Sequence, residues 1–482
     1  MTATEARPVD SVRSLVPARL DRLPWNGFHW SVVVGLGVSW ILDGLEIQMV
    51  SENGFQQQLH MTPTEVGLTG TVYLFGQVIG ALVFGRLADR LGRKRFFIIT
   101  LLVYLLGSGI AGLAFAPWFL WLFRFIAGMG IGGEYTAINS AIDEIIPSHY
   151  RGRVDIAING TYWGGAALGA AANLFLLRPD INADGWGWRI GFFLGPVLGL
   201  VIIYLRRHIP ESPRWQLTHG HAQEAEENVE RIERQVEESS GRKLEPVPDS
   251  KAIEVKATDR IPFFTIAGVF LKKYPKRTLV GFAMMITQSF LYNAIFFSYA
   301  LVLENFYHIP KASTGLYFFP FAIGNLVGPL VLGPLFDTLG RRRAIFGTYA
   351  ISGVVLAVSA ALFQAGALNA VTQTIFWCVA FFFASAGASS AYLTVSETFP
   401  LELRGQAISY FFAISQLVGG VAAPVIFGAL VGDGKARGPL AVGYYFGAGM
   451  MLVGGVIALL FAFDAERKSL EDIADPLSRV DR

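Results

Sequence analysis

Long, nearly continuous runs of apolar residues recur through most of the chain. A membrane-spanning helix needs about 20 mostly apolar residues, because it must cross a hydrocarbon layer about 30 Å thick. The pattern predicts an all-α membrane protein with twelve such helices, which we number as spans 1 to 12. They are expected near residues 29–50, 65–87, 95–116, 117–146, 154–177 and 189–208, and near residues 277–303, 313–336, 344–365, 369–397, 405–430 and 438–463.

Polar segments divide these spans into two groups of six. A polar tail, 1–28, precedes a first bundle at 29–208, and a second bundle at 276–465 precedes a tail at 466–482. Between the bundles lies 209–275, which contains the charged stretch HAQEAEENVERIERQVEESSGRKLE. We expect this segment to be a solvated linker with short helices, because charge runs of this kind are usually exposed.

Arginine and lysine are concentrated in every second short loop, and this predicts the orientation of the chain. Cytoplasmic loops of membrane proteins carry an excess of these residues. Four arginines lie in the N-terminal tail, and basic clusters follow spans 2, 4 and 8, whereas the opposite loops hold only scattered charges. Both termini are therefore predicted to face the cytoplasm, with the chain in a cell membrane.

The composition agrees with a lipid-embedded protein. Charged residues make up 16% of the chain and the mean hydropathy is +0.46, whereas soluble chains carry about 25% charged residues. A net charge of +2 gives no sign of nucleic-acid binding. The single cysteine, Cys378, cannot form a disulfide within the chain.

Two motifs occur twice, about half a chain apart. DRLGRKR begins at Asp89 and DTLGRRR at Asp337, 248 positions later. EIIPSHYR begins at Glu144 and ETFPLELR at Glu397, 253 positions later. Two unrelated motifs repeated at nearly one offset indicate two copies of a six-helix unit, related by pseudo-symmetry.

The motifs GRLADRLGRKR (85–95), RFIAGMGIGGE (124–134), PESPRW (210–215) and SETFPLELR (396–404) make the chain resemble the major facilitator superfamily. The resemblance covers nearly all of 29–465, and it extends to sugar porters and to organic-ion, nicotinate-type and synaptic-vesicle-protein-like transporters. It implies a secondary transporter with a central cavity between two bundles. In that family the repeated motifs act as conformational gates, since arginine pairs bidentately with carboxylate. The corresponding gate residues are Asp89, Arg93, Glu144, Arg151, Asp337, Arg341, Glu397 and Arg404.

Four ionisable residues within the first bundle have no charged counterpart in the second. They are Asp43 and Glu46 in span 1, and Arg124 and Glu134 in span 4. Ionisable groups inside a membrane are costly and mark functional sites. Asp43 and Arg124 both lie about 10 Å from the outer boundary by helical rise, so they are predicted to face each other. Sugar–proton symporters carry an Asp and an Arg at these positions, which implies proton coupling; a static ion pair is the alternative.

Substrate-binding residues are predicted in spans 5, 7, 10 and 11. Amides at Gln288, Asn293 and Gln416 can fix polar groups, and aromatic rings suit flat or apolar ones. The chain departs from sugar porters in span 7 and span 10, where Tyr292 and Tyr392 replace other residues. A small organic acid or polar aromatic metabolite is therefore favoured, with a sugar or polyol left open. The full predicted set is Gln288, Tyr292, Asn293, Phe296, Phe297, Tyr392, Gln416, Asn159 and Trp163.

No sequence feature indicates an enzyme, a cofactor or a metal site. GMGIGG lies inside span 4 with no preceding strand, so it is not a dinucleotide-binding loop. The expected partners are a small solute, protons and the lipid bilayer, and one chain is expected to act as a monomer. Proton symport leads; proton-antiport efflux, uncoupled diffusion and a non-transporting sensor on the same scaffold remain alternatives.

Overall fold

Twelve long helical segments, six in each half of the chain, make up most of the described structure. The computed structural model describes residues 11–51, 55–176, 181, 184–206, 210–256, 263–431 and 434–477. Its first half contains β1 (Ser11–Ser14), α1 (Val16–Asp21), α2 (Gly27–Ser51), α3 (Pro63–Leu91), α4 (Arg93–Ala111), α5 (Pro117–Ile145), α6 (Arg151–Leu176) and α7 (Trp186–Arg206). The connecting segment contains α8 (Pro213–Thr218), α9 (Ala222–Ser240), β2 (Ile253–Lys256) and α10 (Phe263–Gly268). The second half contains α11 (Pro275–Tyr307), α12 (Lys311–Thr338), α13 (Arg341–Gln364), α14 (Ala370–Thr398), α15 (Arg404–Ser415), α16 (Ala422–Val431), α17 (Arg437–Phe461) and α18 (Leu470–Ile473).

The long helices suit a lipid environment. Within the described residues, nine of them are long and apolar enough to cross a membrane. Helices α5 and α6 are not among these nine, and α15 and α16 form one segment divided by a π-helical turn, Gln416–Val421. Leu106, Leu200 and Val442 on the outside of the bundle are 61%, 67% and 63% exposed. Such exposure is unfavourable in water but natural against hydrocarbon.

The two halves pack by the same scheme, as the repeated motifs predicted. In the first half α3 packs on α5, and in the second half α12 packs on α14. The halves meet where α6 contacts α12 and where α3 contacts α15. Each of these contacts joins the second long helix of one half to the fifth of the other. The arrangement therefore has approximate two-fold symmetry.

Glycines explain how closely α3 and α5 approach. A Cβ atom on Gly128 would collide with the carbonyl oxygen of Tyr73, and one on Gly132 would collide with that of Gln77. Small residues at such crossings let two backbones come together. The glycine-rich RFIAGMGIGGE motif is thus a packing surface.

The N-terminal tail and the connecting segment form one small domain, where the sequence predicted a separate tail and a solvated linker. Strand β1 pairs antiparallel with β2, with Ser11 opposite Lys256. Helix α1 packs against α9, whose charged sequence conceals an apolar stripe at helical spacing. The buried residues of that stripe are Ala225, Val229, Ile232 and Val236.

Candidate functional site

A cavity of about 220 Å³ lies between the two halves. Its wall combines aromatic rings with polar and small side chains, and the first half contributes the aromatic residues Trp40, Tyr135, Tyr162 and Trp163. Trp163 faces Tyr292 of the second half, with ring centroids 5.6 Å apart. A cavity shared by two halves can change its access when the halves move relative to each other.

Most of the predicted substrate-binding residues lie in the wall of this cavity. Each of them whose side chain is described lines the cavity: Gln288, Tyr292, Asn293, Phe296, Tyr392, Gln416, Asn159 and Trp163. The side chain of Phe297 lies outside the described part of the chain. The sequence analysis missed Trp40, Gln77, Tyr135, Ser385 and Ser389, which also line the cavity. Trp40 stands three residues before Asp43, so helical spacing from that acid could have found it.

Several polar atoms of the cavity wall are already paired. The Tyr292 hydroxyl donates to Asn325 Oδ1 at 2.9 Å, and the Ser289 hydroxyl donates to Gln416 Oε1 at 2.6 Å. Trp40 Nε1 and Asn159 Oδ1 are buried and have no hydrogen-bond partner among the described residues. The wall therefore offers at least one donor and one acceptor to a bound polar group, because buried polar atoms are normally satisfied.

Arg124 forms a buried ion pair with Glu46. Arg124 Nη1 lies 2.9 Å from Glu46 Oε1, and the two side chains are 2% and 1% exposed. The guanidinium also lies over the Tyr73 ring, 3.9 Å from its centroid. The sequence had predicted Asp43 to face Arg124. In this structure Glu46 occupies the position against Arg124 instead.

Asp43 is held by two tyrosines. Its Oδ1 accepts a hydrogen bond from the Tyr73 hydroxyl at 3.1 Å, and its Oδ2 accepts one from the Tyr135 hydroxyl. Asp43 is fully buried and does not line the cavity, whereas Tyr135 does. Glu134, the neighbour of Tyr135 in α5, is buried as well.

Ion pairs between the halves close the end of the bundle that holds the repeated arginine motifs, which we call the inner end. Arg341 binds Glu397 bidentately, with both contacts at 3.0 Å. Arg151 of the first half reaches Glu397 at 3.5 Å. Arg153 Nε, also of the first half, lies 3.1 Å from Asp337 Oδ2. The inner end is therefore closed in this conformation.

The other predicted gate residues lie around these pairs. Arg404 Nε donates to the Ser396 carbonyl, and the backbone carbonyl of Glu144 accepts from Arg214 at 3.0 Å. The side chains of Asp89 and Arg93 lie outside the described part of the chain. Arg153 and Arg214 were not predicted.

Arg214, from the PESPRW motif, ties the small domain to the inner end. It contacts Asp21 of the N-terminal tail at 2.9 Å and Glu471 near the C-terminus at 3.0 Å. Burial on its own would lower the pKa of Arg214, but these two carboxylates raise the pKa above its ordinary value. The guanidinium is thus a fixed positive charge at this junction.

Comparison with known proteins places the chain in context. Residues 43–476 match the family model described as sugar (and other) transporter. The niacin transporter NiaP of Acinetobacter baylyi is 28% identical over 415 residues, covering 85% of this chain and 89% of the relative. The inner membrane metabolite transport protein YgcS of Escherichia coli is 25% identical, covering 95% and 96%. The solved structure of the proton:xylose symporter XylE has a TM-score of 0.76 at 17% identity, covering 92% and 98%. The family match and the structural likeness confirm the predicted fold. The matched family is one of transporters, as predicted, and not of enzymes.

Proposed function

Because the chain belongs to the sugar (and other) transporter family of the major facilitator superfamily, we propose that it carries a small organic solute across a bacterial inner membrane together with protons. It works by alternating access, in which the central cavity opens to one side at a time. Both termini face the cytoplasm, because arginine and lysine are concentrated in the loops on that side. One chain is the working unit, because the cavity is built from the two halves of a single chain.

The favoured substrate is a small organic acid or a polar aromatic metabolite. A flat ring can pack against the aromatic wall that Trp163, Tyr292 and Phe296 form together, and the unpaired atoms of Trp40 and Asn159 can hold a polar group. The similarity to a niacin transporter supports an aromatic carboxylate. The likeness to XylE keeps a sugar or polyol as the second candidate.

The main observation in support of proton coupling is the hydrogen bond between Tyr135 and Asp43. Tyr135 has its ring in the cavity wall and its hydroxyl on a buried carboxylate. A solute that shifts this ring changes the stabilisation of the charged form of Asp43, so proton binding and solute binding influence each other. Glu46, Arg124 and Glu134 set the electrostatic surroundings of that carboxylate.

The ion pairs of the inner end act as a gate, which we call the inner gate. It comprises Arg151, Arg153, Asp337, Arg341 and Glu397. Asp89, Arg93, Glu144 and Arg404 belong to the same repeated motifs and take part in its movement. The pairs Arg151–Glu397 and Arg153–Asp337 hold the two halves together at the inner end and must break when the cavity opens there.

Solute identity and transport direction are tested with purified protein. Nicotinate, benzoate and xylose are compared in a thermal-shift assay, because a ligand at 100 times its Kd stabilises the folded state by about 2.7 kcal/mol. The stabilising solute is then offered to proteoliposomes with an inward proton gradient. Accumulation of nicotinate supports the proposal. Stabilisation by xylose alone would shift the substrate class to sugars, and proton-driven loss of preloaded solute would favour the antiport alternative.

A further inference from the structure

Two rows of polar side chains run from the cavity to the inner gate on neighbouring helices. The row on α5 consists of Tyr135, Asn139 and Asp143, and the row on α6 consists of Asn159, Asp155 and Arg151. A spacing of four residues keeps each row on one helix face. Asn159 Nδ2 donates to Asn139 Oδ1 at 3.1 Å and so joins the rows. Asp143 and Asp155 stand below this link, one turn closer to the gate.

Neither of these two carboxyl groups receives a hydrogen bond. Asp143 and Asp155 are completely buried, and none of their four side-chain oxygens has a partner among the described residues. Ser396 lies beside Asp143, but its hydroxyl hydrogen goes to the Leu393 carbonyl at 3.0 Å. Asn159 lies beside Asp155, but its amide hydrogens go to two other oxygens. The local donors are therefore already committed.

The surrounding charges can balance only part of this negative charge. Asp143 faces Glu397, Arg151 and Arg404, while Asp155 faces Asp143, Glu397 and Arg341. Arg341 and Arg151 are paired with Glu397, and Arg341 also binds Asp337. Arg404 makes no carboxylate contact within salt-bridge distance in the described structure, and Glu144 and Glu471 act on it as well as Asp143, so it can balance at most one of the two acids. A second buried carboxylate that stays charged without a partner is strongly unfavourable.

We propose that Asp143 and Asp155 form a proton-binding site at the inner gate, which holds one proton while the gate is closed and releases it when the gate opens. Binding converts one carboxylate into a carboxylic acid (COO⁻ + H⁺ → COOH), and no other bond changes. Once the ion pairs break, water reaches both groups and both ionise. The site lies apart from Asp43, so it can exist whether or not Asp43 carries the coupling proton.

The proposal predicts that pH sets the position of the inner gate. The closed state binds one more proton than the open state, so raising the pH favours the open state. The ratio of open to closed protein changes by up to about tenfold for each pH unit. Acid pH therefore closes the inner end, and alkaline pH opens it.

Pulsed spin-label distances test this without any transported solute. Labels are placed on the exposed His149 and Leu339, in the two halves of the inner end, in a Cys378→Ser background. The protein is reconstituted in nanodiscs and measured between pH 5 and pH 9. The short-distance population should fall as pH rises. In Asp143→Asn/Asp155→Asn, which mimics neutral carboxyls, the short distance should persist at every pH.

Control variants distinguish protonation of Asp143 and Asp155 from other effects of pH on the protein. Glu230→Gln, on the exposed face of α9, should leave the wild-type pH profile unchanged. If the double variant fails to fold, the single variant Asp155→Asn serves, because the remaining acid, Asp143, faces Arg404 and needs no proton. A wild-type profile in these variants, or an unchanged wild-type distance across the range, overturns the proposal. The proposed symport is tested separately, by transport measurements on Asp43→Asn. The spin-label distances do not depend on that variant, so either proposal can fail without the other.

Discussion

Tyr135 connects Asp43 to the cavity, because its hydroxyl donates to the carboxylate while its ring forms part of the cavity wall. The ring also stacks on Trp40, with centroids 4.5 Å apart and planes 12° apart. A fully buried acid is thus one side chain away from the cavity. In the proposed symport, Tyr135 is the positioning residue through which solute and proton affect each other.

Tyr135→Phe should weaken coupling more than it weakens binding. The ring and its stacking on Trp40 are kept, but Asp43 loses a hydrogen bond. A hydrogen bond to a charged group contributes about 1.5–3 kcal/mol to the stability of that charged form. We expect proton-driven accumulation of nicotinate to fall at least tenfold, with its apparent Kd changed by less than about threefold. The control is Tyr162→Phe, which lines the same cavity but is not one of the two donors to Asp43. Equal losses in both variants would contradict the role of the hydroxyl.

Glu46→Gln should destabilise the protein strongly. It leaves Arg124 buried without its carboxylate partner, and breaking a buried ion pair costs about 3–5 kcal/mol. The double variant Glu46→Gln/Arg124→Gln should recover part of this loss, because no charge is then left unpaired. Thermal unfolding in detergent measures both. Glu224→Gln, at an exposed His221–Glu224 contact, should change the stability by less than about 1 kcal/mol.

Glu397→Gln should open the inner gate. It removes the bidentate partner of Arg341 and the contact with Arg151 across the halves. Labels on His149 and Leu339 should then shift towards a longer distance at neutral pH. Arg342→Gln is the matched control, since Arg342 pairs with Asp464 within the same half. A distance distribution identical to that of the wild type would show that these ion pairs do not hold the gate.

Acid should release the N-terminal tail from the small domain. Burial would raise the pKa of Glu233, but hydrogen bonds from Arg19 and Arg22 outweigh it and hold the pKa below its ordinary value of 4.5. The pairs therefore stabilise the docked tail above about pH 4.5, and this stabilisation is lost as pH falls through the lower folded-state pKa. Hydrogen exchange of Ser11–Asp21, corrected for intrinsic rates, should rise at acid pH.

Two substitutions in α9 test whether the ion pairs of Glu233 anchor the tail. Glu233→Gln should loosen the tail already at pH 7, whereas Glu238→Gln on the exposed face of α9 should not. A tail that exchanges at the same corrected rate in all three proteins would rule out these ion pairs as its anchor.

The sequence predicted most of the fold because apolar runs and repeated motifs report directly on lipid exposure and duplication. Gln288 and Tyr392 could be predicted as cavity residues because an amide and an aromatic ring within membrane spans suit the wall of a binding cavity, and both line the cavity. The pairing of Arg124 with Glu46 could not be predicted, because it depends on side-chain rotamers and on the Tyr73 ring below the guanidinium. The docking of α1 on α9 depends on contacts between residues about 200 positions apart. A hydropathy profile describes only local composition, so it could not predict these contacts.

The most direct test of proton coupling compares two transport modes of Asp43→Asn in proteoliposomes with radiolabelled nicotinate. Counterflow requires only movement of the loaded transporter, whereas accumulation against a gradient requires a proton on and off the buried carboxyl group. The account predicts that the variant loses proton-driven accumulation and keeps counterflow near the wild-type rate. Accumulation that survives the substitution, or equal loss of both modes, would contradict it.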